Sequence, residues 1–367
     1  MRFAVLFPVI CTFSLFLFCS CNSRAVETSL PAKLPALSLG SGNIEYYLAG
    51  DRTERDSLKD LFFLLENAPN DPLERFCIVR EMATQLRKGS ATGKLVNLLN
   101  AQVEKHPDDP FNAWYLLMVA WIHMQEGSEP VAVLYFDRIV KNHRDLVIAG
   151  ESVHLASLKQ IITLTKDHWR RIACYQELLE RFPEDIPLGQ TLFSLAKTYE
   201  KTGEWDLALQ TYARYLASPD TTVIGEPNAF SYAKLLIDFN NSSKDWSFKS
   251  LDELVEAVKT NIRKGNIRGL SRLMAKVNFN ALSWGQDPSD LSDRKALNFS
   301  DLMTGTRIRY AEKIDPDSNT EEAWLRTWGW SQNVSVWYFH FRKIYFPAQA
   351  DIHGRWEWAG VYYGEKN

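Results

Sequence analysis

The side chains that most often do chemistry in proteins are scattered along this sequence rather than grouped. The seven histidines fall outside HExxH and similar metal-ligand spacings, and neither a G-x-S-x-G turn nor a phosphate-binding glycine loop occurs. Cys77 and Cys174 lack the CxxC spacing that zinc sites use, and we expect both to be buried free thiols on apolar helix faces. The sequence therefore predicts no catalytic residue, no bound metal and no cofactor, and it disfavours an enzyme.

One acidic stretch has the alternating oxygen ligands that calcium loops use. Asp315, Asp317 and Asn319 stand at alternate positions, as in a loop that wraps a calcium ion. Thr320 stands where such a loop needs glycine, and Arg326 stands where it needs a bidentate carboxylate. We therefore interpret the stretch as a solvated acidic turn.

The N-terminus offers a cysteine thiol for covalent modification. An almost wholly apolar stretch, 3–18, follows a single arginine and leads into Ser20 and Cys21. The stretch is shorter than the roughly 20 residues that span a bilayer core, which is typical of a secretory signal. The segment up to Cys21 resembles the bacterial lipoprotein signal, with Phe18 standing where leucine is usual.

That resemblance implies that residues 1–20 are a signal peptide, that Cys21 receives fatty acyl chains such as palmitate, and that residues 21–52 tether the lipid to the folded body. Such a protein is anchored in the bacterial cell envelope, in the inner or outer membrane, facing the periplasm or the surface. Two alternatives remain open: an uncleaved N-terminal anchor, and a signal peptide cleaved without lipid addition. No later stretch is as apolar as a membrane span.

From about Thr53 onward, apolar residues recur at helical spacing and the helices come in pairs. In the clearest pair, 186–219, small, aromatic and turn residues recur in a fixed order at Leu192, Leu195, Ala196, Tyr199, Gly203, Ala208, Tyr212 and Pro219. This order resembles the tetratricopeptide repeat (TPR), a unit of two antiparallel helices. Ala196 and Ala208 would let the two helices approach closely, and Gly203 would end the first helix.

Weaker units of similar length precede this pair, at 71–107, 110–144 and 146–183. The stretch from Phe230 to Asp238 is predicted to be a closing helix, because a terminal repeat must cover its neighbour's exposed face. The sequence thus predicts an α-solenoid of three or four TPR-like helical hairpins over residues 53–240.

The resemblance to TPR proteins also implies where a partner binds. The first helix of each unit lines a groove that holds peptides or partner helices, and in the clearest unit the groove positions are Gln190, Phe193, Lys197, Glu200 and Lys201. We expect Phe193 to supply an apolar anchor, and Lys197 and Glu200 to set the orientation of the partner.

The same positions in the unit around Trp114 are Asn112, Tyr115, Val119, Ile122 and His123. This set is apolar enough that we expect a neighbouring part of the chain to cover it, with the C-terminal domain as a candidate.

The last part of the chain, 247–367, differs in kind. Two helical stretches, 251–263 and 267–276, are followed by predicted strands at 306–310, 334–345 and 355–363. In the second of these strands, Val336, Tyr338, His340 and Arg342 alternate with Trp337, Phe339 and Phe341. Alternation with a period of two is typical of antiparallel strands that bury one face. The sequence predicts a small α+β domain with an antiparallel sheet.

Tryptophan is concentrated in this domain, and Trp356 and Trp358 share one face of a predicted strand. Rings on an exposed face can stack on sugars or flat ligands, whereas rings on a buried face are core; we favour core, since a small domain needs their area. Glu357, on the opposite face, is a weaker candidate for a polar site.

The net charge of −3 arises from nearly balanced acidic and basic residues, so we expect no nucleic acid partner. Taken with the two resemblances, the sequence predicts a membrane-anchored bacterial lipoprotein that uses TPR-like repeats as a protein-interaction scaffold in the cell envelope. The alternative is an envelope lipoprotein that binds a small ligand or glycan through the Trp-rich C-terminal domain. An envelope hydrolase is disfavoured, because neither a nucleophile nor a metal constellation supports it.

Overall fold

The computed structural model describes residues 44–67, 71–286, 303, 306–330 and 334–366. The predicted signal peptide, Cys21 and most of the predicted tether lie outside the described residues, so their roles stay predictions.

The N-terminal two thirds of the described chain is helical. Its helices are α1 (Ile44–Tyr47), α2 (Arg52–Asn67), α3 (Pro72–Lys88), α4 (Thr92–Lys105), α5 (Asn112–Gln125), α6 (Glu129–Asn142), α7 (Val153–Leu164), α8 (His168–Arg181), α9 (Leu188–Thr202), α10 (Trp205–Leu216) and α11 (Ala229–Asn241). A β-hairpin precedes α7, and its strands have two residues each: β1 (Val147–Ile148) and β2 (Glu151–Ser152).

These helices pack as consecutive neighbours, in the pairs α3/α4, α5/α6, α7/α8 and α9/α10, with α2 before them and α11 after them. Contacts between helices that are neighbours in sequence are what an α-solenoid requires. The predicted fold class is confirmed for this part. Within the described residues, none of these helices is both long enough and apolar enough to cross a membrane.

The pair α9/α10 packs as its sequence predicts. Ala196 and Ala208 have no exposed surface, and Tyr199 and Tyr212 are buried in the same cluster. Gly203 ends α9 in the left-handed conformation, with φ of 81°, and its N–H donates to the backbone oxygens of Tyr199 and Glu200. A side chain with a Cβ would be strained at this φ, which is why glycine suits the turn.

The C-terminal part contains α12 (Leu251–Arg263), α13 (Ile267–Leu273) and a five-stranded sheet. The strands are β3 (Asn280–Ser283), β4 (Arg309–Tyr310), β5 (Glu322–Trp328), β6 (Val336–Lys343) and β7 (Trp356–Tyr363). They lie in the order β3-β7-β6-β5-β4. This confirms an α+β unit, and sequence reasoning missed β3 and β5.

The sheet differs from the expectation at one edge, where β3 runs parallel to β7 while the other pairs are antiparallel. Inward side chains of β6, Trp337, Phe339 and Phe341, form a core with Leu254 and Val258 of α12. The sheet therefore buries one face against the helices.

A buried carboxylate fixes the start of the C-terminal part. Glu357 on β7 accepts a hydrogen bond from Nε1 of Trp246 at 3.0 Å and pairs with Arg342 at 2.8 Å. Phe248 and Trp356 exchange two backbone hydrogen bonds of 2.8 Å. The segment just after α11 is thus bound into the sheet, and the predicted boundary between residues 240 and 247 falls inside a packed junction.

The helical and sheet parts also share apolar contacts. Leu209 of α10 clusters with Ile344, Phe346 and Ile352 from the loop after β6, and Ile237 of α11 packs on them. This loop therefore covers one side of the last helices of the solenoid.

Both predicted free thiols are free, but their surroundings differ. Cys174 is buried on α8, and burial raises the pKa of its thiol to about 11. Cys77 is exposed on α3, so the expectation that it is buried is wrong. Its neighbour Ile78, not Cys77, points into the core.

Replacing Ala196 by leucine should lower the free energy of unfolding by about 1–3 kcal/mol, because the closed contact between α9 and α10 has no room for three more carbons. Ala213→Leu, at an exposed position of α10, is the matched control and should change stability little. Urea denaturation followed by circular dichroism measures both. Equal midpoints for the two variants would contradict the packing described above.

Candidate functional site

The row of groove positions predicted on α9 is largely closed by neighbouring helices. Phe193 is only 4% exposed. Its ring centre lies 5.7 Å from that of Tyr212, 5.3 Å from that of Tyr215 and 6.4 Å from that of Tyr232. The first two rings belong to α10 and the third to α11. The expectation that Phe193 offers an exposed apolar anchor is therefore wrong, because α11 packs over it.

The carboxylate of Glu200 is hydrogen-bonded within the same group of helices. Its carboxylate accepts hydrogen bonds from the hydroxyls of Tyr212 at 2.6 Å and Tyr232 at 2.9 Å, and from Nζ of Lys197 at 3.0 Å. Lys197 also lies 4.3 Å from the ring centre of Tyr232. Burial raises the pKa of both tyrosines, with Glu200 adding to the effect. Both phenols therefore stay protonated and act as donors that clamp α10 and α11 to α9.

Burial alone would lower the pKa of Lys197, but its hydrogen bond and charge interaction with Glu200 outweigh burial and raise it. The lysine is therefore a stable cation, paired within the chain. Of the predicted row, Lys201 is exposed and Gln190 is half-buried. Partner binding by these side chains stays a prediction.

The sequence around Phe193 and Lys197 recurs on α11, and there the aromatic ring is exposed. The residues Phe193 to Lys197 read F-S-L-A-K, and the residues Phe230 to Lys234 read F-S-Y-A-K. Ala233, like Ala196, is fully buried. Phe230, however, is 46% exposed. The same sequence register thus gives a core ring in one repeat and an accessible ring in the next.

Charged side chains follow this exposed ring along the helix. Phe230, Lys234 and Asp238 stand four residues apart, so they lie along one face of α11. Nζ of Lys234 pairs with Oδ2 of Asp238 at 2.7 Å, and both side chains are about half exposed. Sequence reasoning treated α11 as a closing helix and missed this row, although the repeated F-S-x-A-K could have revealed it.

The corresponding row on α5 is buried, as expected, but by a different neighbour. Tyr115, Val119 and Ile122 belong to a cluster formed entirely by residues between 47 and 186. Asn112 is also buried and donates to the backbone oxygens of His106 and Pro107. The suggestion that the C-terminal domain covers this row is wrong, because adjacent helices of the solenoid cover it. His123 stacks on Tyr135 instead, with ring centres 5.4 Å apart.

The residues of the C-terminal domain that the sequence offered as ligand-binding candidates have structural roles. Trp356 and Trp358 are buried in the sheet core, so these two rings offer no platform to a sugar, and the core interpretation is confirmed. Glu357 is occupied by Trp246 and Arg342.

The acidic turn holds a lysine amine. Nζ of Lys366 lies 2.8 Å from Oδ1 of Asp315 and 3.1 Å from Oδ2 of Asp317. Asn319 instead accepts hydrogen bonds from the backbone N–H groups of Glu321 and Glu322. Across the described part of the chain, no group of three or more His, Cys, Asp and Glu side chains is placed to hold a metal ion.

Residues 190–221 match the family model of the tetratricopeptide repeat. The match starts at Gln190 in α9 and extends past the end of α10, so the chain contains a TPR repeat at the pair that the sequence pattern singled out. A comparison with curated proteins finds no match. TPR repeats commonly mediate contacts between proteins and generally serve as scaffolds rather than enzymes, which supports a protein partner for this chain.

Phe193→Ala should lower the free energy of unfolding by about 3–5 kcal/mol, since it empties a site lined by three tyrosine rings. Phe230→Ala occupies the same repeat position and should change stability by no more than about 0.5 kcal/mol. Thermal and urea unfolding of both variants test this difference. If the Phe193→Ala protein is as stable as the wild type, the ring of Phe193 does not contribute to the core and is again a candidate for partner binding.

Proposed function

We propose that this protein is a lipid-anchored, protein-interaction scaffold of the bacterial cell envelope, and that its partner docks on the exposed row of α11. The observation that carries this proposal is the exposed row of Phe230, Lys234 and Asp238, in a chain that contains a TPR repeat.

The row has the composition of a binding surface. Phe230 supplies an aromatic ring of the kind that anchors protein interfaces when a partner buries it. Lys234 and Asp238 follow the ring along the helix with opposite charges, which suit a polar rim and reject partners of the wrong charge pattern. Because the pair is exposed, breaking it costs the free protein little.

The rest of the solenoid supports the placement of this surface. In the preceding unit the equivalent ring, Phe193, packs against α10 and α11. The equivalent lysine, Lys197, pairs with Glu200 and lies over the ring of Tyr232 on α11. On α5 the row is covered by neighbouring helices. A partner that binds at the groove positions of a TPR unit would therefore find an accessible aromatic ring on α11.

The membrane side of the proposal rests on the sequence before residue 44. Acylation of Cys21 would add two or more chains, which bind a bilayer stably where one chain binds only marginally. The tether that follows would leave the solenoid free to meet partners near the membrane surface.

Photo-crosslinking from position 230 tests the docking surface. A photoreactive phenylalanine analogue at Phe230 of the full chain, in cells that produce the protein, should give a defined adduct with another protein. The same analogue at Leu134, an exposed position of α6, is the control and should not give that adduct. Lys234→Glu should reduce the adduct at least several-fold by reversing the rim charge. Identical adducts from both positions would contradict a partner site on α11.

Metabolic labelling with a fatty-acid analogue tests the anchor. The wild-type protein should be labelled and should sediment with membranes, whereas Cys21→Ala should be unlabelled. Cys77→Ala, which removes the exposed thiol of α3, is the control and should keep the label. Label retained by Cys21→Ala would exclude this cysteine as the lipid acceptor.

A further inference from the structure

The face of the sheet that points away from α12 and α13 carries a continuous group of aromatic rings. We call this group the aromatic face; its members are Trp284, Trp324, Tyr338, His340 and Tyr362. Trp284 stacks on Tyr362 with ring centres 4.7 Å apart, and Trp324 stacks on His340 at 5.3 Å. His340 and Tyr362 join the two stacks at 5.6 Å. The group is distinct from Trp356 and Trp358, which lie in the core on the other side of the sheet.

A cation sits against these rings. Nζ of Lys366 lies 4.7 Å from the ring centre of Trp324, 5.2 Å from that of Trp284 and 5.5 Å from that of Tyr338. All three distances fall within the range at which an ammonium is attracted to the face of an aromatic ring. Three rings around one ammonium form an aromatic cage.

Two carboxylates complete the cage by accepting hydrogen bonds from the same ammonium, Asp315 at 2.8 Å and Asp317 at 3.1 Å. Burial alone would lower the pKa of Lys366, but the hydrogen bonds to the two aspartates outweigh burial and raise it. The amine therefore stays charged. Because the carboxylates accept N–H donors, the cage suits a primary ammonium better than a quaternary one, which has no N–H.

A second subsite holds a carboxylate beside the ammonium. Glu365 pairs with the guanidinium of Arg326, and the hydroxyl of Tyr338 donates to Oε2 of Glu365 at 3.0 Å. Nε of Arg326 also donates to Oε2, at 3.2 Å. A guanidinium that contacts both carboxylate oxygens recognises the planar group specifically.

The segment that fills both subsites is attached through a short turn. Gly364 has φ of 91°, its N–H donates to the backbone oxygen of Val336, and its own backbone oxygen accepts from Nε1 of Trp284. Beyond this turn, Glu365 and Lys366 are held by side-chain contacts on a partly exposed surface. The Arg326–Glu365 pair is exposed, and pairs of this kind are weak. The Lys366–Asp315 pair is largely buried, so a ligand displaces Lys366 only by making the same contacts in its place.

The aromatic face also retains polar atoms that the segment leaves unpartnered. His340 is only 6% exposed, and neither of its ring nitrogens has a hydrogen-bond partner; Nε1 of Trp324 has none either. The nearest acid, Glu322, is 3.7 Å from Nε2 of His340. Burial, with Arg342 adding to it, lowers the pKa of His340 to about 4, so the ring is neutral near pH 7. A neutral imidazole can both donate and accept, so both ring nitrogens of His340 remain unsatisfied while Glu365 and Lys366 are in place.

We propose that the aromatic face is a binding site for a ligand that carries a primary ammonium next to a carboxylate, such as a Glu-Lys segment of another protein, and that Glu365 and Lys366 occupy the site until such a ligand displaces them. This inference goes beyond the partner surface on α11 and does not depend on it. The chain's own segment competes with the outside ligand. The outside ligand can bind only while that segment is displaced, so its apparent affinity is its intrinsic affinity multiplied by the fraction of molecules in which the site is free.

The probe is the peptide acetyl-Gly-Glu-Lys-Asn-amide, which copies the sequence of the internal segment. Titrated into the full chain and followed by tryptophan fluorescence and calorimetry, it should bind Lys366→Ala at least about tenfold more tightly than the wild type, a difference of ~1.4 kcal/mol. Adding Asp315→Asn to Lys366→Ala should reverse this gain. A peptide with norleucine in place of lysine should bind neither variant.

The matched control is Lys343→Ala. Lys343 also lies over a tryptophan ring, 5.8 Å from the centre of that of Trp356, and pairs with Glu321 at 3.2 Å, but it is not part of the aromatic face. This variant should bind the peptide as the wild type does. If a folded Lys366→Ala protein shows no saturable binding, or binds no more tightly than Lys343→Ala, the aromatic face is a structural latch and the proposal is overturned.

A second measurement uses the wild-type chain and does not depend on any variant folding. Trace acetylation followed by mass spectrometry reports how accessible each lysine amine is. Saturating peptide should raise the acetylation rate of Lys366 several-fold relative to Lys343, because the displaced amine enters solvent. An unchanged ratio would overturn the displacement.

Discussion

Each helical pair of the solenoid leaves an apolar face that the next helix must cover, and this constraint explains which side chains are free. Phe193 becomes core because α11 follows it, whereas Phe230 occupies the same register on the last solenoid helix and stays half exposed. The loop with Ile344 and Phe346 then covers α11 two turns beyond Phe230 by packing on Ile237. The position of a residue in the order of helices, not its type, decides whether it packs in the core or stays exposed.

The solenoid and the C-terminal sheet are joined by more than a linker. Glu357 is almost fully buried, and a buried carboxylate is costly unless charge and hydrogen bonds compensate it. Arg342 supplies the charge from the neighbouring strand, and Trp246 supplies a donor from the segment after α11. Because one partner belongs to that segment, the orientation of the sheet relative to the solenoid is fixed by a polar contact as well as by apolar packing.

Much of this architecture could be predicted from the sequence. Small residues at Ala196 and Ala208, with Gly203 between them, locate a helical pair because the close approach of two helices and a left-handed turn each tolerate few residue types. Alternation located β6, and the sequence also predicted a strand over the residues of β7. Strand β3 was missed because four residues give too short a pattern, and its parallel pairing with β7 joins segments that are distant in sequence. Strand β5 does alternate, but polar and aromatic residues fill its outward positions, which weakens the contrast between its faces.

The candidate sites were harder to predict, because the relevant neighbours come from other elements. Nothing local at Glu200 reveals that Tyr212 and Tyr232 donate to it, and nothing local at Lys366 reveals three rings and two aspartates around its amine. The two clusters also differ in how fully they are satisfied. Around Glu200, two hydroxyls and an ammonium meet one carboxylate, so the cluster is paired internally and stabilises the helices. On the aromatic face, His340 and the indole of Trp324 keep unpartnered polar atoms although the cage is filled. Buried polar groups without partners are costly, so the polar atoms of the aromatic face are less fully satisfied than those of the closed row of α9.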